Sequence, residues 1–294
     1  MIAPPASLRA LYPFESRFLD LGGIRYHYLD EGRGATIVML HGNPTWSFYY
    51  RRLILALSHN YRVIVPDHVG CGLSDKPRTY GYTLERHIAN LEALMAALGL
   101  EKITLVMHDW GGPIGMGYAV RQPAKVRRLV IFNTAAFWLP RIPWFLRLCR
   151  LPILGSLVVR RLNLFAMLAL FVACRRGGRM SKEIRGGYLA PYGSYADRIA
   201  ILRFLQDIPV NARHRTFALL RSIEEGLKQF EGLPVLIIWG GRDPVFTDLF
   251  LESWKRRFPR AAVKHVAEAG HYVVEDAHEL IIPWLDEFLE KNPV

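Results

Sequence analysis

Short apolar runs alternate with longer helical patterns along most of the chain. Six runs of four or five residues are dominated by Val, Ile and Leu, as is typical of buried strands in a parallel sheet. They cover residues 36–40, 62–65, 103–107, 129–132, 235–239 and 263–266. Helices are predicted between them at 48–57, 84–98, 114–120, 247–258 and 279–289. The alternation predicts an α/β fold with a mostly parallel central sheet and helices on both of its faces.

Two further runs, at 16–22 and 24–29, precede this alternation and predict an antiparallel hairpin at the sheet edge. The alternation stops after Phe132 and resumes at Pro234, and the residues between lack convincing strands. We therefore predict a main domain formed by residues 1–134 and 232–294. A helical cap is predicted at 135–231, inserted after the sixth strand at the carboxyl edge of the sheet, where ligands of open α/β sheets bind.

Composition and charge narrow the possible partners. Hydrophobic residues make up 51% of the 294 residues, so a large core can form and disorder is excluded as the main state. The net charge of +12 first suggests nucleic acid or an anionic membrane. However, residues 141–185 contain nine Arg and one Lys but a single acid, Glu183, so this stretch carries most of the net charge. Its basic residues alternate with aliphatic side chains, whereas nucleic-acid grooves interleave them with stacking aromatics, so we exclude nucleic acid.

The same basic stretch is very apolar. Its longest uncharged run, 162–174, is shorter than the ~20 residues that a transmembrane helix needs. The composition indicates core-facing helices with Arg on their outer face, and it leaves a second subunit or a membrane surface open as the cap's partner. The first residues lack the apolar run of a signal peptide, and three scattered cysteines indicate reduced thiols. We therefore expect a cytoplasmic protein without a metal site, with membrane association left open.

The strongest chemical signal is Ile-Thr-Leu-Val-Met-His-Asp-Trp-Gly-Gly at 103–112, an apolar strand that enters a tight turn and a helix. This is the context of a nucleophile elbow, usually Gly-x-Ser-x-Gly. Here Asp109 holds the nucleophile position, Met107 replaces the first Gly and Gly111 keeps the second. A carboxylate can displace a leaving group from carbon and form a covalent ester, or attack a strained ring. The alternative is that Asp109 merely caps the following helix.

An ester at Asp109 must be hydrolysed by water, and a general base must activate that water. His271 is the candidate base, since it follows the last predicted strand, and Asp243 follows the preceding strand and can orient His271. Nucleophile, acid and base then occur in the chain order of α/β hydrolases. The alternatives are a solvated loop histidine and a turn aspartate before Pro244. Four nearby acids are expected at the surface: Asp248, Glu268, Glu275 and Asp276.

A third element, His-Gly-Asn-Pro-Thr-Trp at 41–46, directly follows a predicted strand. Its turn can aim the backbone N–H of Asn43, together with that of Trp110, at the oxyanion formed when water attacks the ester. The side chains of both residues also carry N–H donors, which suit a leaving anion such as halide. The alternative for Asn43 is an ordinary Asn-Pro turn.

With these motifs the chain resembles the haloalkane dehalogenase family of α/β hydrolases over nearly its whole length. The markers are the motif at 41–46, Asp-His-Val-Gly-Cys-Gly-Leu-Ser-Asp-Lys-Pro at 67–77, and His-Asp-Trp-Gly-Gly at 108–112. The resemblance implies an Asp109 nucleophile, a His271 base, halide binding by Asn43 and Trp110, and no cofactor. Some members take their acid from a Glu after the earlier strand. The chain reads Phe-Asn-Thr there, so the acid is expected to be Asp243, as in the third subfamily.

The resemblance implies a hydrolase that cleaves carbon–halogen bonds through an alkyl ester of Asp109, giving alcohol, halide and a proton. The alternative activity is β-lactone decarboxylation to a cis-alkene and CO2. Residues 46–51, 187–192, 204–209 and 269–272 resemble the bacterial β-lactone decarboxylases of long-chain olefin synthesis. A third possibility is epoxide hydrolysis, for which Tyr188, Tyr192 and Tyr195 are available, although Asn43 fits that family poorly. In each case the expected partners are a small apolar substrate and water.

Overall fold

Eight strands form a single sheet in the computed structural model, which describes residues 8–175 and 180–294. The strands are β1 Arg17–Asp20, β2 Arg25–Glu31, β3 Thr36–Leu40, β4 Arg62–Pro66, β5 Ile103–Asp109, β6 Val126–Thr134, β7 Val235–Gly240 and β8 Ala262–Val266. Their order across the sheet is β1-β2-β4-β3-β5-β6-β7-β8. The pairs β1–β2 and β2–β4 are antiparallel, and all other pairs are parallel. The predicted mostly parallel sheet with an edge hairpin is confirmed.

The described ranges contain eleven α-helices. They are α1 Arg51–Leu57, α2 Leu84–Ala97, α3 Gly111–Arg121, α4 Trp144–Cys149, α5 Pro152–Gly155, α6 Leu164–Val172, α7 Lys182–Leu189, α8 Ile199–Asp207, α9 Phe217–Gly226, α10 Asp248–Arg257 and α11 Val273–Lys291. A π-helical stretch, Ser156–Arg161, continues α5. Two helices begin earlier than the sequence pattern predicts. In α3, Gly-Gly-Pro occupies the first turn, where Pro loses no required hydrogen bond. In α11, six residues precede the predicted start, and the helix bends at Ala277.

Alternate residues of the central strands face opposite sides of the sheet, and both sides are covered. Val38 and Leu40 pack into a core that includes α2 and α3, whereas Ile37 and Met39 pack into a core that includes α1 and α11. Burial on both faces explains why these strands are continuous apolar runs. The sheet is therefore a rigid platform for the loops that leave its carboxyl edge.

Between β6 and β7 the described residues form helices and turns but no strand. This helical segment, α4 to α9, has a small core of its own, centred on Leu146, Val159, Ile201 and Leu205. It agrees in type and place with the helical insertion expected after the sixth strand. The domain bounds at 135 and 231 stay a prediction. Arg176 and Arg179 of the basic stretch lie outside the described residues.

Candidate active site

Asp109 ends β5 with a φ of 50°, a left-handed conformation that non-glycine residues rarely adopt. The following turn is tight. A Cβ atom at Gly111 would collide with the backbone of Leu40, and one at Gly112 would collide with the side chain of Thr134. Strand, strained turn and helix thus follow one another as in a nucleophile elbow, the context predicted for Asp109.

Backbone N–H groups hold the Asp109 carboxylate. The N–H of Asn43 donates to Oδ1 across 2.6 Å. Burial raises the pKa of Asp109 above its ordinary value, and the charge of His271 and the N–H groups of Asn43 and Trp110 oppose this effect. The two N–H groups predicted to form an oxyanion hole therefore both act on Asp109 before any substrate is present.

His271 connects the carboxylates of Asp109 and Asp243. Its Nδ1 lies 2.7 Å from Oδ2 of Asp243, and its Nε2 lies 3.8 Å from Oδ2 of Asp109. Burial lowers the pKa of His271, but the charge of Asp243, its hydrogen bond and the charge of Asp109 outweigh burial, so the pKa lies above its ordinary value. Oδ1 of Asp243 accepts from the N–H groups of Val245 and Phe246, which fixes the carboxylate. The three residues predicted from the sequence thus lie together.

Residues outside the predicted catalytic triad hold the His271 loop. The His108 ring donates from Nε2 to the carbonyl of His271 across 2.8 Å, and burial holds the pKa of His108 well below its ordinary value. The N–H of Tyr272 donates to the carbonyl of Ala173, just beyond α6, across 2.9 Å. Oδ2 of Asp276 accepts from the N–H groups of Gly270 and Arg175. The base loop is therefore attached to the end of α6.

The prediction that Glu275 and Asp276 lie at the surface is wrong. Asp276 is buried against the base loop, and Glu275 forms a two-pronged ion pair with Arg51, in which both N···O distances are 2.7 Å. The side chains of Arg51 and Glu275 are only 2% and 6% exposed. Tyr188 of α7 also donates to Glu275 across 2.9 Å, so this pair joins α1 and α11 to the helical segment. Asp248 and Glu268 are exposed, as expected.

A cavity of about 460 Å³ adjoins Asp109 and His271 beneath the helical segment. Most of its lining is apolar and includes Trp138, Phe165, Leu168, Val172, Leu205, Ile208 and Phe246. The three tyrosines considered for epoxide opening do not line it. Tyr188 bonds Glu275, Tyr192 donates to the carbonyl of Thr45, and Tyr195 pairs with Ser156 at an exposed position.

The side chains of Asn43 and Trp110 place N–H donors beside the Asp109 carboxylate. Asn43 and Trp110 both line the cavity. The Asn43 amide donates from Nδ2 to the carbonyl of Ile201 across 3.1 Å, which uses one of its two hydrogens. Among the described residues, no hydrogen bond is found for the indole N–H of Trp110.

The described ranges, 8–175 and 180–294, contain no cluster of three or more His, Cys, Asp or Glu side chains that is arranged to hold a metal ion.

Comparison with known proteins identifies the family. A family model for the alpha/beta hydrolase fold matches residues 35–277. The chain belongs to this family. It is 48% identical over 291 residues to the cis-3-alkyl-4-alkyloxetan-2-one decarboxylase of Shewanella oneidensis, with 97% of this chain and 91% of that protein covered. It is 34% identical to haloalkane dehalogenase 2 of Mycobacterium tuberculosis, with 92% and 93% covered.

A solved structure agrees with this assignment. The haloalkane dehalogenase DatA from Agrobacterium tumefaciens C58 matches the chain with a TM-score of 0.86 at 26% identity, covering 95% of this chain and 97% of that one. The α/β-hydrolase fold and the enzyme class predicted from the sequence are confirmed. Relatives of both leading activities, dehalogenation and β-lactone decarboxylation, are among the similar proteins.

Proposed function

We propose that this chain is an enzyme of the haloalkane dehalogenase type that uses Asp109 as a nucleophile toward saturated carbon. The observation that carries this proposal is the Asp109 carboxylate itself. It stands on a strained turn, with Oδ1 held by the Asn43 N–H and Oδ2 facing His271, at the wall of an apolar cavity. Oδ2 is then the oxygen that bonds to carbon, and Oδ1 is the oxygen on which charge develops later.

The preferred substrate is a β-lactone with two alkyl chains, a cis-3-alkyl-4-alkyloxetan-2-one. The 48% identical relative acts on this compound class by name, and its likeness extends over nearly the whole chain. The cavity volume lies within the range of ~300–1,000 Å³ typical of pockets that bury sizeable ligands. An apolar lining of this extent suits long alkyl chains better than a short haloalkane.

The decarboxylation can proceed on Asp109 without water. Oδ2 attacks ring carbon 4, the bond from carbon 4 to the ring oxygen breaks, and its electron pair stays on the released carboxylate. The bond between carbon 3 and that carboxylate then breaks, and its electrons form the carbon–carbon double bond. CO2 leaves, the carbon–oxygen bond to Asp109 breaks, and the Asp109 carboxylate is regenerated. The products are an alkene and CO2, with no net gain or loss of a proton.

Dehalogenation is the second candidate, and the N–H groups of Asn43 and Trp110 favour it. They lie beside the nucleophile on the cavity wall, where a departing halide needs hydrogen-bond donors. The resulting alkyl ester of Asp109 is hydrolysed by water, which His271 activates while Asp243 stabilises the imidazolium. This reaction releases an alcohol, a halide and a proton.

A paired assay tests the proposal. One arm measures alkene formation from a cis-3,4-dialkyl β-lactone, and the other measures halide release from short and long bromoalkanes. We expect turnover in both arms with much faster lactone turnover, and loss of both activities in Asp109→Ala. Lactone turnover that persists in Asp109→Ala would refute the nucleophile assignment. Faster halide release than alkene formation would make dehalogenation the main activity.

We also propose that the basic, apolar side of the helical segment is a contact surface. The segment carries most of the net positive charge and keeps many large apolar side chains exposed. The sequence leaves two partners open for this surface, a second copy of the chain and a membrane. An anionic membrane would attract its Arg side chains, whereas the same surface of a second copy would repel them.

A further inference from the structure

Exposed apolar side chains are concentrated on the helical segment. Eleven of the sixteen large hydrophobic residues that are exposed in the described part of the chain fall between Trp144 and Val172. We call these eleven the apolar face: Trp144, Leu148, Leu151, Ile153, Leu157, Leu162, Leu164, Met167, Leu168, Phe171 and Val172. Ile153 is 88% exposed and Trp144 is 73% exposed. Exposed apolar side chains in this number are typical of a site of interaction.

Positive charge borders the apolar face. Arg141, Arg147 and Arg161 are exposed within or beside it. From Arg141 onward the sequence contains no Asp or Glu until Glu183. Cations around an apolar surface match an anionic lipid surface, which attracts Arg and accepts apolar side chains. Contact with the same face of a second copy would instead bring like charges together.

The apolar face and the cavity share side chains. Trp144, Leu168 and Val172 are exposed on the face and also line the cavity beside Asp109. Apolar side chains therefore connect the face with the wall of the cavity. A substrate dissolved in lipid would not have to cross a polar surface.

A sharp bend separates two of the helical stretches of this face. No single helix in the described ranges is long and apolar enough to cross a membrane, and one pair, Pro152–Arg161 with Leu164–Val172, passes by length and composition but is bent by 70°. We propose that the apolar face docks onto an anionic lipid surface and that the apolar substrate enters the cavity from this surface. The entry route rests on the proposed function, whereas the docking does not.

Vesicle co-sedimentation of the full chain tests the docking. We expect the protein to pellet with phosphatidylcholine vesicles that contain phosphatidylglycerol, and binding to fall as salt screens the charges. The double variant Ile153→Glu with Leu157→Glu should bind roughly tenfold or more weakly, because two apolar anchors become charged. Leu249→Glu is the matched control, since Leu249 is 50% exposed on α10 and should leave binding unchanged.

Several outcomes would overturn the docking. The first is a failure of the parent protein to pellet with vesicles at low salt, and the second is undiminished pelleting of the double variant. The third is a parent protein that forms a stable dimer in analytical ultracentrifugation and a double variant that is monomeric, with neither protein binding vesicles. Activity separates docking from chemistry, because Ile153 and Leu157 do not line the cavity. We expect the double variant to turn over a water-soluble bromoalkane like the parent and to lose turnover of lactone held in anionic vesicles. Docking without turnover of any substrate would refute the proposed function alone.

Discussion

The backbone N–H of Asn43 donates to Oδ1 of Asp109 across 2.6 Å, so the two oxygens of this carboxylate are unequal before substrate binds. Oδ1 is held, whereas Oδ2 lies 3.8 Å from Nε2 of His271. Negative charge that develops on Oδ1 during ester hydrolysis therefore meets a donor that is already in place. Because this donor belongs to the backbone, its position depends on the loop after β3.

Gly42 allows this approach, and its replacement should disable the site. A Cβ atom at residue 42 would collide with Oδ1, Cβ and Cγ of Asp109, so Gly42→Ala must displace the nucleophile or the loop. We expect at least a roughly hundredfold loss of kcat/KM, since displacement of a catalytic group by about 1 Å can cost this much. Gly186→Ala, which adds a Cβ into open space, is the control. Equal activities of the two variants would contradict the prediction.

His271→Phe should separate the two reactions. With a bromoalkane, the alkyl ester of Asp109 should accumulate because no base activates water, and intact-protein mass spectrometry should detect the added alkyl mass. With the β-lactone, alkene formation should continue, since loss of CO2 expels Asp109 without water. His59→Phe, at an exposed turn, should accumulate no adduct. A stable adduct from the lactone would refute the water-free route.

Oxygen-18 water gives an independent test of the same distinction. Dehalogenation should place one labelled oxygen in the Asp109 carboxylate, because water attacks Cγ and the alcohol leaves with Oδ2. Lactone decarboxylation should leave Asp109 unlabelled, because only the bond between Oδ2 and substrate carbon breaks. Peptide mass spectrometry after many turnovers measures both cases. Label incorporated at equal levels with the two substrates would show that water is used in both.

The pH dependence of ester hydrolysis should report the pKa of His271, which the charge and the hydrogen bond of Asp243 raise, whereas the charge of Asp109 is lost in the ester. The base must be neutral to accept a proton, so hydrolysis should slow as the pH falls through this pKa. Asp243→Asn removes the charge that raises the pKa most and should move the acid limb to lower pH, together with a large loss of rate. Asp248→Asn, an exposed residue, should leave the limb in place. Single-turnover rates of ester decay against pH provide the measurement.

The buried pair of Arg51 and Glu275 should contribute strongly to stability. Glu275→Ala leaves the Arg51 guanidinium buried without its partner, and we expect the free energy of unfolding to fall by about 3–5 kcal/mol. The exposed pair of Lys255 and Glu252 is the control, and Glu252→Ala should cost less than about 1 kcal/mol. Denaturant unfolding measures both changes. A similar small loss in the two variants would show that the buried pair adds little.

The central strands and the turn after β5 could be predicted because their signals are local. A buried parallel strand needs a continuous apolar run, and the Asp109 turn needs its own glycines. The bounds of α6 could not be predicted, since every residue of Leu164–Val172 is apolar and the sequence therefore does not mark the side that is buried. The pairing of Arg51 with Glu275 joins residues 224 positions apart, and no local pattern marks Glu275 as buried.

The hydrogen bond from Tyr272 to the carbonyl of Ala173 limits how this chain can be re-engineered. Exchange of the helical segment for that of a relative is a natural way to alter substrate range. In this chain the exchanged piece would carry Ala173 and Arg175, whose backbones support the loop of the base. A chimera whose backbone takes another path at these two residues would acquire a new binding cavity and lose these two supports of the His271 loop at the same time. Substrate range and the position of the base therefore change together, unless the C-terminal junction of the exchanged piece lies before residue 173.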